Sequence, residues 1–239
     1  MQRQFLGLTK KGQGAYLCAM AKSTNREDHL KALYALGERK GGPDAWVATN
    51  DLAAHLQVKP PSVSGMVQVL QELGWAEHRP YHGARLTPTG RSLALSLVRK
   101  HRLWETFLVK RLGFGWDQVH DIAEQLEHID SVELVQRLDA YLDHPEVDPH
   151  GEPIPNAYGD ILDKRVLMPL SELPADTWGQ ISAVQDDQGQ VLDQLQRHNL
   201  ALGSVIGPKE RMSLPSEGHQ YILVTPWEEM SPQLQTSAT

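Results

Sequence analysis

Apolar positions recur at helical spacing through most of the chain between residues 24 and 142, then shrink to short runs separated by proline, glycine and polar residues. That change of period predicts a helical N-terminal part and a small β-containing C-terminal part. Residues 1–22 are polar and weakly periodic, which predicts a loosely packed extension. Thr24-Asn-Arg-Glu27 reads as a capping box that opens a helix with Leu30, Leu33 and Tyr34 inward and Glu27, Asp28 and Lys31 on the surface. Gly37 and Gly41-Gly42-Pro43 are expected to end it.

Thr49 is placed to cap a short helix with Leu52, Ala53 and Leu56 inward. Pro60-Pro61 opens a third helix carrying Val63, Met66, Val67 and Leu70, closed by Gly74. Two short helices joined by the break at Gln57-Val58-Lys59 form a helix-turn-helix. Lys59, Pro61, Ser62, Ser64 and Gln68 lie toward the start of the second of these, where small and hydrogen-bonding groups meet phosphates and base edges. Extended segments flanking Tyr81-His82-Gly83 predict a hairpin with Arg79 and Arg85 at its base, and Thr87 caps the helix that follows. An isolated pair of short helices would read as a plain helical hairpin. Helix, helix-turn-helix and basic hairpin in this order make a winged helix, a reader of double-stranded DNA.

The next helix, predicted from Arg91 to Leu112, has Leu93, Leu97, Val98, Leu103, Phe107 and Leu108 on its apolar side. His101 and Glu105 lie one turn apart on it, so they share a cation or simply pair through a hydrogen bond. In the segment from His120 to His128, His120, Glu124, Glu127 and His128 fall on one helical stripe, opposite Val119, Ile122, Leu126 and Ile129. Such a stripe is either a solvated acidic face or half of a metal site. Ser131 to Leu142 forms another amphipathic helix, and apolar-faced helices too short to close a core alone suggest a homodimer interface. Residues 143–160 read as an irregular connection. Beyond them, apolar segments near Val166–Leu170, Trp178–Val184 and Tyr221–Val224, with a helical stretch from Gln188 to Asn199, suggest a small, mainly β barrel-like domain. The tail from Ser231 is expected to fray.

With 239 residues, 40% hydrophobic and 22% charged, the chain has room for two or three modest domains. No apolar run approaches the roughly 20 residues that span a bilayer, and Cys18 is the single cysteine, so a cytoplasmic protein without intrachain disulfides is expected. The net charge of -7 argues against a nucleic-acid partner until its distribution is considered. From Arg79 to Arg111 eight bases face one acid, whereas from Trp116 to Glu152 eleven acids face one base. A basic block beside an acidic one suits a phosphate-contacting part next to a cation-binding part. There is no His-Glu-x-x-His, nucleophile elbow or phosphate loop, so an enzyme is not expected.

Several motifs in order carry a resemblance: Glu27-Asp28-x-Leu30-x-x-Leu33-Tyr34, Pro61-Ser62-Val63-Ser64, Leu86-Thr-Pro-Thr-Gly90, Arg99-Lys-His101-Arg-Leu-x-Glu105, Val119-His120-Asp121, Glu127-His128 and Gly151-Glu-Pro-Ile-Pro155. Over about residues 24 to 160 the chain resembles the diphtheria-toxin-repressor family of metal-dependent transcriptional regulators, and its last third resembles the SH3-like domain of longer members. The fold so implied is mainly α with small β parts. It comprises an extension (1–23), a winged helix-turn-helix (24–92), a helical metal-binding and dimerisation domain (93–145), a linker (146–160) and an SH3-like domain (161–239).

The resemblance also implies two metal sites, one from Asp28, Glu124, Glu127 and His128 and one from His101, Glu105 and His120, with Gln188 as the corresponding donor in the SH3-like domain. The iron-responsive branch carries methionine and cysteine where Asp28 and Glu124 stand, and the manganese-responsive branch carries acids there. Carboxylates in place of sulfur favour Mn²⁺, with Fe²⁺ the alternative and other divalent ions such as Zn²⁺ or Co²⁺ expected to bind in vitro. Lys31 departs from the manganese pattern, which has a further glutamate there, and His101 with His120 looks like the iron-type arrangement. The implied function is a homodimeric repressor that binds a two-fold operator when the cation is abundant. The other readings are an iron-responsive regulator and a metal-independent winged-helix protein with an acidic surface.

Overall fold

A computed structural model describes residues 10–185 and 190–227, with residues 10–24 described by backbone alone. Gln188 and the tail from Ser231 lie outside the described residues. The chain divides into two compact units, residues 1–98 and 99–239. No helix among the described residues is long and apolar enough to cross a membrane.

The first unit is a winged helix-turn-helix. It comprises α1 (Lys10–Arg39), α2 (Thr49–His55), α3 (Pro60–Glu72), β1 (Ala76–Arg79), β2 (Gly83–Leu86) and the first half of α4 (Pro88–Leu112). Leu30, Ala32, Leu33 and Tyr34 of α1 are buried with Leu52 and Ala53 of α2 and Val63, Val67 and Leu70 of α3. These are the three- and four-residue repeats that pattern alone assigns to one face. α3 opens on its two prolines, whose missing N–H groups are orphans at a helix start in any case. β1 and β2 pair antiparallel from Ala76 opposite Leu86 to Arg79 opposite Gly83. A third segment anchors this wing, because Val47 and Ala84 exchange backbone hydrogen bonds of 2.8 and 2.9 Å. Gly83 sits at φ +100, and a Cβ there would lie 1.9 Å from the Val47 carbonyl oxygen, so only glycine lets the wing close onto that segment. The Thr87 hydroxyl accepts from Gly90 N at 3.1 Å and donates to the Gly74 carbonyl at 2.8 Å, capping α4 while tying it to the end of α3.

Some local expectations fail. Thr24 does not open a helix, since α1 begins at Lys10 and runs through the Thr24–Glu27 segment, and it passes Gly37 to end at Arg39. Thr49 is the first helical residue of α2 rather than its cap, a place taken by Ala48 without a side-chain bond. On α4, Leu97, Val98, Leu103 and Leu108 are buried as assigned, but Leu93 at the edge of that face is exposed while Ala94 and Leu95 are buried.

The second unit continues α4 and adds α5 (His120–Leu126) and α6 (Val132–Tyr141), followed by the irregular segment and a four-stranded antiparallel sheet. Ser131 caps α6 by accepting from Leu134 N at 3.3 Å. Leu103, Leu138, Leu142 and Ile154 form one buried cluster, flanked by Trp104, Phe107 and Val135. The sheet has the order β3 (Met168–Pro169), β6 (Ile222–Pro226), β4 (Gly179–Val184), β5 (Val205–Ile206). Val191, Leu192 and Leu195 of α7 (Gln190–Arg197) complete a core with Leu170, Ile181, Val184, Ile206, Ile222 and Val224. α8 (Pro208–Ser213) and a 3-10 turn over Ser216–Tyr221 fill the connection from β5 to β6.

Candidate metal centres and DNA-facing residues

The acidic stripe does not lie as helical pattern alone places it. α5 ends at Leu126, and its buried face runs through Val119, Ala123 and Glu127, each 0% exposed, while Glu124 and Ile129 are exposed. Spacing put Glu127 beside Glu124 and opposite Ile129. The structure instead sinks one carboxylate into the protein, which a buried charge tolerates only with a partner.

That partner is His101. Its Nδ1 lies 2.6 Å from Glu127 Oε2 and its Nε2 lies 3.0 Å from Glu105 Oε1, so the ring bridges two buried carboxylates. His120 Nδ1 approaches His101 Nε2 at 3.2 Å and Glu105 Oε1 at 3.5 Å, and His120 Nε2 lies 3.6 Å from Glu124 Oε1. His101, Glu105 and His120 each offer a donor atom within 4.8 Å of the others, so the structure brings these three together. Glu124, assigned to the other site, faces His120 in this unit. His128 follows α5 and is partly buried, and Asp28 is a partly buried residue of α1 in the N-terminal unit. Lys31, one turn further along α1, is also partly buried.

A further donor pair escaped the pattern. Asp148 and His150 come from the segment read as an irregular connection, and with Glu105 they form a second group of donors within 4.8 Å. His150 Nδ1 lies 3.5 Å from Glu105 Oε2, the carboxylate oxygen not used by His101. Its Nε2 donates to the Trp116 carbonyl at 2.8 Å, and the indole stacks on the imidazole at 17° between planes. Asp148 Oδ1 accepts from His150 N at 2.8 Å and Glu152 N at 2.9 Å, which shapes the loop. Asp148 Oδ2 is buried without a hydrogen bond, its nearest cation being Arg102 Nε at 3.6 Å. The only advance sign was two donors two residues apart inside the acidic block.

Charge in this network is finely opposed. Burial alone would raise the Glu105 carboxyl, but the charge of His101 and hydrogen bonds from His101, His120 and His150 outweigh it and hold Glu105 well below the usual carboxylate range. Burial, then the charges of Glu105 and Glu152, push Asp148 up to about 7 against Arg102 and His150. Burial disfavours a charged His150, yet the Glu105 hydrogen bond and charge, the Asp148 charge and the Trp116 carbonyl lift it to about 9. Imidazoles and carboxylates therefore converge where protons now balance charge, and a divalent cation taking their place would release them. All donors are nitrogen or oxygen, a set that suits hard and borderline divalent ions. The orphaned Asp148 oxygen supports that fit.

In the N-terminal unit, Lys59, Pro61, Ser62, Ser64 and Gln68 are all exposed on or beside the first turns of α3. Ser64 donates back to the Pro60 carbonyl at 3.1 Å. Arg79 and Arg85 hold Trp46, their guanidinium carbons 5.0 and 4.9 Å from its ring centroid, and Arg85 also pairs with Glu77 at 2.9 Å. Trp46 thus organises both wing arginines, a role that its place in a loop did not announce.

Comparison with known proteins places both units. Residues 22–84 match the model described as "Iron dependent repressor, N-terminal DNA binding domain" and residues 87–156 the model described as "Iron dependent repressor, metal binding and dimerisation domain". The chain is 36% identical over 129 residues to the diphtheria toxin repressor of Corynebacterium glutamicum, covering 54% of this chain and 55% of that protein. It therefore spans about half the length of that relative. It is 35% identical over 112 residues to the HTH-type transcriptional regulator MntR of Lysinibacillus sphaericus, covering 47% of this chain and 77% of that one. A solved "Manganese-dependent transcriptional repressor complex with manganese" superposes with a TM-score of 0.71 at 30% identity, covering 84% of this chain and 99% of the other. The two family models lie end to end over a winged helix-turn-helix and a helical unit that gathers imidazoles and carboxylates, and the chain belongs to the iron-dependent repressor family.

Proposed function

We propose that this protein is a homodimeric, metal-dependent repressor whose cation is Mn²⁺ and whose target is a two-fold symmetric DNA operator. The observation that carries the reading is the buried network around Glu105, in which His101, His120, Asp148 and His150 converge with oxygen and nitrogen donors only. One centre takes Glu127 and His128, with Glu124 and, on the family resemblance, Asp28 of the N-terminal unit. The other takes Glu105 with His101 and His120 on one side and Asp148 and His150 on the other. Filling them replaces protons by metal and neutralises clustered carboxylates. A cation that favours the DNA-competent state raises DNA affinity by the same factor by which DNA raises cation affinity.

Lys59 just before α3 and Pro61, Ser62, Ser64 and Gln68 on it face the DNA, and Arg79 and Arg85 hold the wing against its backbone. Half-sites then lie about one helical turn, ~34 Å, apart or at a multiple of it. Fe²⁺ is the second reading, favoured by the imidazole pair His101 and His120. Duplexes selected from a randomised pool in Mn²⁺ are titrated with protein in Mn²⁺, in anaerobic Fe²⁺ and in chelator. Tight binding in Mn²⁺ that chelator abolishes is expected. Equal binding in chelator overturns metal dependence, and binding restored by Fe²⁺ but not by Mn²⁺ moves the assignment to iron.

A further inference from the structure

The loop that carries His150 is gripped from two directions. From α4, Arg102 donates to the Pro153 carbonyl and to Glu152 Oε2, both at 2.6 Å, and Arg99 donates to the Pro155 carbonyl at 2.6 Å. From the β domain, Val184 N of β4 donates to the His150 carbonyl at 2.8 Å. Arg165 adds a second hold, donating through Nη2 to the Gly151 carbonyl at 2.6 Å and through Nη1 to the Ser182 carbonyl of β4 at 3.0 Å. Asp163 aims that guanidinium, accepting from Nε at 2.9 Å and from Nη2 at 2.7 Å. The approach is close enough to require glycine: Gly151 sits at φ +81, and a Cβ there would lie 2.1 Å from the Ser182 carbonyl oxygen. Trp116, stacked on the His150 ring, also packs against the β-domain core.

We infer that Arg165 is a positioning residue for His150, through which the β domain becomes a structural part of the Glu105–Asp148–His150 centre. The inference rests on reading that cluster as a metal centre. His150 reaches Glu105 only while its loop stays seated, and on the β side that seat is the Val184 N–H on the His150 carbonyl together with the Gly151 and Ser182 carbonyls bridged by one planar guanidinium. Lysine keeps the charge but replaces that bridge only in part, because an ammonium lacks the fixed fork that spans two acceptors. Linkage makes the effect reciprocal: whatever the docked β domain adds to cation affinity, the cation adds to docking. Residues that orient a ligand from outside are typically worth 10- to 100-fold in metal affinity, the scale expected here.

The test uses the whole chain with Mn²⁺ as the probe, titrated calorimetrically after chelator treatment, with Co²⁺ absorption reporting ligand geometry. Arg165→Ala is expected to weaken the ion at the Glu105 centre by about 10- to 100-fold. It is expected to leave the ion lost in Glu127→Gln unchanged. Arg165→Lys recovers part of the loss, and Asp163→Asn, which keeps the arginine but frees its direction, gives a smaller loss of the same ion. Mn²⁺ protects residues 156–167 from proteolysis in the wild type and fails to do so in Arg165→Ala. Asp163→Asn and Arg165→Lys carry the test alone if Arg165→Ala does not fold. Affinity within twofold of the wild type in the folded variants overturns the positioning role. A wild type whose titration matches that of Glu105→Gln has no ion at this cluster, and then the metal reading itself fails.

Discussion

Replacing Glu105 by glutamine removes the charge at the centre of the buried network without emptying its space, and the consequence for the metal-free protein depends on pH in a defined direction. His150 is lifted from 6.5 to about 9, chiefly by Glu105 acting against burial. That difference corresponds to about 3 kcal/mol of preference for the protonated ring. Since Asp148 and the Trp116 carbonyl also contribute, Glu105→Gln should cost about 2 kcal/mol where His150 is charged. A raised histidine gives stability that is fully present below its unfolded value of 6.5 and is lost as pH rises through about 9. Asp148, raised to about 7 in part by Glu105, works the same way: its contribution is lost as pH rises through about 7, and removing the Glu105 charge lessens that loss. Glu105 itself is depressed, so its own contribution is present above 4.5 and does not interfere in this window.

The penalty is therefore largest near pH 6 and shrinks toward pH 10. Urea denaturation of both proteins in chelator at about pH 6 and about pH 9.5, followed by circular dichroism, measures it as a difference of free energies. A penalty equal at the two pH values would refute the idea that Glu105 holds a protonated His150.

Other outcomes follow from the N-terminal unit. Gly83→Ala should destabilise by about 2–4 kcal/mol, since the new Cβ meets the Val47 carbonyl, and a loss below about 1 kcal/mol in thermal denaturation would show that the anchoring segment yields. Tyr81 is held at φ 67 at the wing tip, where its ring is fully exposed. Tyr81→Gly should thus raise unfolding free energy by about 1 kcal/mol in the same assay. Lys59→Ala should weaken binding to all duplexes alike and reduce the salt slope of binding by about 1. Gln68→Ala should cost about 1–3 kcal/mol on the selected duplex while relaxing preference at one base pair, read by competition with single-substitution sites.

The winged helix was legible because its determinants are local. Pro60-Pro61 before the repeats of α3, Gly74 after it and Thr87 before α4 each act within one turn of where they stand, and tertiary contacts had only to agree with them. The same logic overreached at Thr24, where a favourable cap did not interrupt α1, because a cap adds about 1 kcal/mol and helix continuity outweighs it. It also misjudged Glu127. Periodicity grouped this residue with polar neighbours, whereas His101, twenty-six positions earlier, makes its burial affordable.

Residue types and their spacing determined that this chain carries a winged helix-turn-helix and a set of imidazole and carboxylate donors free of sulfur. They also paired His101 with Glu105, because a one-turn spacing on α4 is a property of the helix itself. Only the tertiary structure decided which donors meet. It brought Asp148 and His150 back to Glu105 from more than forty residues away and seated their loop between the arginines of α4 and Arg165 of the β domain. No local propensity encodes such a return of the chain, since it depends on which surfaces pack and which carbonyls are left for an arginine to bridge.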